Sequence, residues 1–129
     1  MKEQNKIQSK NAIEEAKEIF SSCIKCGMCK SICPVFSVLR EEHLSPRGHS
    51  SLAIKNVFTD SFFHCTLCKA CEEKCPIKLK ICDAIIKIRE SLSLEEKNIK
   101  ENKEMIKKVR ETGNPFGGEK SSGDKLYCC

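Results

Sequence analysis

Two short stretches constrain this chain more than anything else in it: "CIKCGMCKSICP", from Cys23 to Pro34, and "CTLCKACEEKCP", from Cys65 to Pro76. Each reads C-x2-C-x2-C-x3-C-P. A run of thiols this dense either builds disulfides in an oxidising compartment or holds metal in a reducing one. The opening "MKEQNKIQSKNAIEEAKEIFSS" has no apolar run or small-residue cleavage site of a secretory signal. No segment approaches the ~18 to 20 apolar residues of a membrane span. The expectation is therefore a cytoplasmic chain with reduced, metal-binding cysteines.

The spacing names the metal group. Three thiolates at three-residue steps, in a loop that curls around a compact cubane, can reach three iron corners, and this is a bacterial-type iron-sulfur signature. The proline after the fourth cysteine disfavours helical backbone there and steers the chain away from the cluster it has wrapped. In two-cluster proteins of this kind the fourth cysteine serves the other cluster. Cys23, Cys26, Cys29 and Cys75 are thus assigned to one [4Fe-4S] cluster, and Cys65, Cys68, Cys71 and Cys33 to a second. The competing reading is a pair of zinc sites, which four thiolates also suit, although zinc modules usually present two separated C-x2-C pairs. A dithiol enzyme would leave most of these cysteines unexplained.

Composition fits this picture. Aromatic residues make up 5% of the 129 and there is no Trp, so a compact domain needs a filler other than large side chains. The formal net charge of +5 counts cysteine as neutral. Two clusters carrying about −2 each with their thiolates bring it to roughly +1, which removes most of the support for nucleic-acid binding. Neither a Ser/His/Asp arrangement nor a phosphate-cradling glycine loop is evident.

Between and around the runs the sequence reads as helix. Apolar residues recur at three- and four-residue steps from Ser9 to Phe20. Ser45 is an N-cap with Pro46 at the first helical position, followed by Leu52, Ala53, Val57 and Phe58. Ile81, Ala84, Ile85, Ile88 and Leu92 form another stripe, with Pro76 suited to its first turn. Ser93 and Glu96 form an S-x-x-E capping box for a last helix carrying the pairs Glu96 to Lys100 and Glu104 to Lys108. That helix is predicted to end near Thr112, at Gly113. The fold class expected is all-α, with residues 1–112 as one domain and 113–129 as a flexible or partner-docking tail.

"CIKCGMCKSICPVF" followed by "FHCTLCKACEEKCPIKLKICDAIIKIR" resembles the α-helical ferredoxin module of the heterodisulfide reductase C-type iron-sulfur subunits. The same module occurs in the iron-sulfur subunits of glycolate oxidase, lactate-utilisation and anaerobic glycerol-3-phosphate dehydrogenase complexes. "SPRG" at Ser45 to Gly48 is similar to a short motif between the runs of these relatives. The resemblance implies an α-helical ferredoxin with two cluster-binding loops, passing single electrons between a flavin-containing subunit and a second partner. "ETGNPFGG" resembles the spacer that precedes cysteine-rich CCG catalytic modules in fused relatives, which implies a CCG-type catalytic subunit on another chain and a hetero-oligomer. A quinone-linked dehydrogenase subunit is the alternative within the redox class, and a zinc or iron-sulfur regulatory module is the alternative outside it.

Three cysteines and three histidines fall outside the signatures. Cys82 reads as a small buried thiol, and Cys128 and Cys129 as mobile terminal thiols. His43, His49 and His64 read as surface or packing residues, with His64 placed to tune the neighbouring cluster. Lys25, Lys30, Lys69, Lys74 and Lys78 form a solvated basic face whose charge would raise reduction potentials.

Overall fold

The computed structural model describes residues 2–117. The chain divides into two compact units, Met1–Lys97 and Asn98–Cys129. The first contains α1 (Lys2–Ser21), α2 (Pro34–Leu39), α3 (Pro46–Ile54), α4 (Ala70–Lys74) and α5 (Ile81–Leu94). Short 3-10 turns at Met28–Lys30, Glu42–Leu44 and Asp60–His64 connect them. No strand occurs among the described residues, and the fold is all-α.

The backbone of this unit is an antiparallel helix pair. On α1 the residues Ser9, Ala12, Ala16 and Phe20 recur at helical steps and are buried. They face the stripe Ile81, Ala84, Ile85, Ile88 and Leu92 on α5. Small side chains at 12, 16 and 84 let the two helices approach closely, and the large ones fill the flanks. Ser9 Oγ lies 2.8 Å from Ser91 Oγ and donates to Glu95 Oε1 at 2.8 Å. A satisfied polar pair inside an apolar seam fixes the register, because sliding either helix would bury hydroxyls without partners. Lys87 pairs with Glu15 at 2.9 Å along the edge.

On its other side α5 covers the cysteine runs. Cys71, Leu79 and Phe62 join the same buried cluster as Ile85 and Ile88. Arg89 reaches from α5 with Nε donating to the Phe62 carbonyl at 2.9 Å and Nη2 donating to the Cys65 carbonyl. This guanidinium ties down the entry to the second run.

The "SPRG" stretch resolves into four separate jobs. Ser45 caps α3, its Oγ accepting from Gly48 N–H at 2.9 Å while donating to the Glu42 carbonyl at 2.7 Å. Pro46 occupies the first helical position, where its missing N–H has no cost. Arg47 Nε donates to Glu42 Oε1 at 2.8 Å. Gly48 packs so tightly that a Cβ there would sit 1.8 Å from the Glu42 carbonyl oxygen.

Several boundaries differ from the sequence reading. Helix α1 begins at Lys2, well before Ser9. Helix α3 ends at Ile54, so Val57 and Phe58 lie beyond it. Pro76 sits in a turn and α5 starts only at Ile81, because Lys78 at φ 52° reverses the chain first. The Ser93–Glu96 box does not open the last helix: Ser93 belongs to the last turn of α5, Glu96 takes a left-handed φ of 59°, and α6 starts only at Lys100. Glu96 and Lys100 therefore do not share a helix.

In the second unit α6 (Lys100–Thr112) closes at Gly113, whose φ of 73° and N–H bond to the Val109 carbonyl form a left-handed C-cap. The cap stands where the sequence places it. Asn114 Oδ1 then accepts from Phe116 N–H at 3.0 Å. Cys128 and Cys129 lie outside the described residues.

Candidate metal centres

The eight signature cysteines gather around two hollows of nearly equal size, about 370 and 340 Å³ counting the space open to solvent. Cys23, Cys26, Cys29 and Cys75 line the first. Cys33, Cys65, Cys68 and Cys71 line the second, together with Cys82 and His49. Each hollow thus takes three cysteines from one run and one from the other. Pro46 lines both, so the first turn of α3 is the wall between them.

The two loops repeat each other in backbone conformation. In the first, Lys25 and Gly27 have φ of 56° and 80°; in the second, Leu67 and Lys69 stand at the equivalent positions with φ of 55° and 61°. Left-handed residues alternating with ordinary ones turn successive N–H groups toward one side, which makes a concave anion-binding nest. Only Gly27 adopts this conformation without steric cost. Lys25, Leu67 and Lys69 each lose roughly 1 to 2 kcal/mol relative to ordinary backbone, so the loop is shaped for what it holds.

The hydrogen bonds follow from that shape. Leu67 N–H donates to Cys65 Sγ at 3.4 Å. Backbone N–H groups of Cys29 and Arg47 partly offset the upward push of burial on the Cys29 thiol. Cys33 and Cys75, each followed by proline, are extended (φ/ψ of −75°/118° and −70°/124°) and leave their loops in the same way. In each run the middle cysteine, Cys26 or Cys68, is the exposed one, while Cys71 is buried.

Burial pushes the Cys29, Cys65 and Cys71 thiols upward, with neighbouring cysteines adding to the effect. The Leu67 N–H and the Arg89 charge pull partly against this at Cys65. Such clustered thiols surrender their protons readily only to a cation that replaces the lost charge. This donor set suits a thiophilic metal group. Four sulfurs ring each hollow, and a polynuclear cluster fits the arrangement.

Around the first hollow, Arg47 and Lys30 both pair with Glu42. The Arg47 hydrogen bond above all, with that of Lys30 and the two positive charges, holds the Glu42 carboxyl below its usual range. Lys30 also lies 4.6 Å over the Phe36 ring. Around the second, His49 is buried and stacks on Phe62 with centroids 4.9 Å apart. Its Nε2 donates to the Ser61 carbonyl at 3.2 Å, and Nδ1 has no hydrogen-bond partner among the described residues. Burial lowers the imidazole pKa to about 4. His43 pairs with Glu41, and His64 Nδ1 bonds the Asp60 carbonyl on the surface. The sequence signals the cysteines fully, but gives no sign that His49 or Cys82 lines a hollow.

Residues 19–79 match the 4Fe-4S dicluster domain. That segment resembles an iron-sulfur domain. Its span runs from the end of α1 to Leu79, taking in both cysteine runs. The chain is 36% identical over 72 residues to the C-type subunit of the ferredoxin:CoB-CoM heterodisulfide reductase of Methanosarcina mazei, covering 53% of this chain and 43% of that protein. It is 33% identical over 97 residues to the C-type subunit of the ferredoxin/F(420)H(2)-dependent CoB-CoM heterodisulfide reductase of Methanosarcina acetivorans, covering 72% of this chain and 58% of the relative. The iron-sulfur subunit of glycolate oxidase from Escherichia coli is 34% identical over 71 residues, 48% of this chain and 17% of that subunit. The chain thus spans less than two thirds of the length of each of these relatives. The matched region is a module shared by proteins of very different length. Among the described residues no helix is long and apolar enough to cross a membrane.

Proposed function

We propose that this chain is the electron-transfer subunit of a multi-subunit oxidoreductase of the heterodisulfide reductase type. One [4Fe-4S] cluster is held by Cys23, Cys26, Cys29 and Cys75, and the other by Cys65, Cys68, Cys71 and Cys33. Such clusters accept and release one electron at a time without making or breaking substrate bonds. A flavin-containing subunit supplies the electrons and a CCG-type catalytic subunit receives them, in a cytoplasmic hetero-oligomer.

The observation that carries this reading is the exchange of fourth cysteines between the two hollows. Cross-ligation keeps two clusters side by side, separated by Pro46, as consecutive stations of one path must be. The exposed Cys26 and Cys68 give each station an outlet near the surface. Exposed Ile24 and Ile77 line the first hollow and would be covered by a partner chain. The residues themselves do the holding: the nests point N–H groups at the sulfurs, and α5 with Arg89 fixes the loops.

Anaerobic isolation of the native complex, with metal and sulfide analysis, tests this. About eight irons per chain and a co-purifying flavoprotein agree with it. Two zincs per chain, or a freely diffusing monomer, contradict it.

A further inference from the structure

The second hollow carries a fifth thiol. Cys82, on the first turn of α5, is 1% exposed and lines this hollow beside Cys71. Both side chains belong to the same buried cluster. One contact holds it there: its own N–H donates to Glu72 Oε1 at 2.7 Å. The first hollow has no fifth cysteine among the residues that line it.

An independent observation concerns the same wall. His49, also 1% exposed, lines the second hollow with a buried Nδ1 that has no partner among the described residues. Buried nitrogens are almost always satisfied, so this one points to a group filling the hollow. With that group bound, Cys71 is a metal thiolate and has no proton to give. A hydrogen bond between these two neighbouring sulfurs can then run only from Cys82 S–H to Cys71 Sγ.

We propose that Cys82 is a positioning residue for the second cluster, its thiol donating to the Cys71 thiolate and making that cluster easier to reduce. This rests on the iron-sulfur reading above. Drawing electron density from a coordinating sulfur favours the reduced, more negative state, and hydrogen bonds to sulfur are a recognised control of cluster potential. Loss of such a hydrogen bond is expected to change the reduced-to-oxidised ratio several-fold, a tenfold change being about 59 mV for one electron.

The test is an EPR-monitored redox titration of the full chain, purified anaerobically, as wild type, Cys82→Ala and Cys82→Ser. In Cys82→Ala one cluster is expected to become several-fold harder to reduce while the other is unmoved and iron content is unchanged. Serine keeps a donor at the site and is expected to restore most of the wild-type potential. The proposal is overturned if alanine moves neither potential, moves both equally, or if serine behaves like alanine. Should alanine lose iron, the serine variant decides: a wild-type potential supports the proposal, and a shifted one overturns it. Failure of the underlying reading is separate and visible in the wild type, as a chain without iron and sulfide.

Discussion

Cys33 and Cys65 line the same hollow although 31 residues of helical sequence lie between them. The intervening segment folds back so that the end of the first run meets the start of the second, and Cys75 returns the contribution to the first hollow. Neither loop is complete by itself. Removal of either group should therefore loosen both halves of the unit.

Gly48 is the position least tolerant of change outside the cysteines. A Cβ would meet the Glu42 carbonyl oxygen at 1.8 Å, and backbone cannot rotate away as a side chain can. Gly48→Ala should destabilise the protein by about 3 kcal/mol and displace Arg47 from Glu42. Thermal melting under anaerobic conditions checks this, with a clear fall in midpoint expected.

The left-handed positions give a paired prediction. Gly27→Ala forces strain at φ 80° and brings a Cβ to 3.1 Å from Arg47 Nη1, so it should destabilise. Lys69→Gly at the equivalent position of the second loop relieves strain, and should be neutral or stabilising by up to about 1 kcal/mol. Opposite signs in denaturant unfolding would bear out the shared loop geometry.

His49 sets a direction for acid sensitivity. Its folded pKa, about 4, lies below the ordinary histidine value of 6.5 because burial disfavours the charged ring. The positive charges of Arg89, His43 and His64 press the same way. The unfolded chain therefore binds the extra proton first, and stability is complete above about pH 6.5. It falls as pH drops toward 4, by up to about 3 kcal/mol in all. Replacing the ring by Phe should flatten that acid limb relative to wild type in unfolding measured from pH 7 to 4.5.

The cysteine runs were legible because their chemistry dictates their spacing, and the Ser45 cap and the Gly113 stop because single residues carry those signals. Pro46 was legible as a helix start but not as a wall between two hollows, which depends on tertiary packing. Pro76 and the Ser93 to Glu96 box misled for a common reason. A local pattern licenses a helix start, but Lys78 at φ 52° and Glu96 at φ 59° show the chain turning instead. The contacts of Cys82 and His49 join segments distant in sequence, and no periodicity encodes them.

The exchange of cysteines is the central claim, and three single variants test it most directly by the EPR signals that each removes. Cys26→Ala should abolish one cluster and Cys68→Ala the other. Cys75→Ala, though it lies in the second run, should abolish the same signal as Cys26→Ala. Loss of the Cys68 signal in its place, with the Cys26 signal intact, would contradict the account.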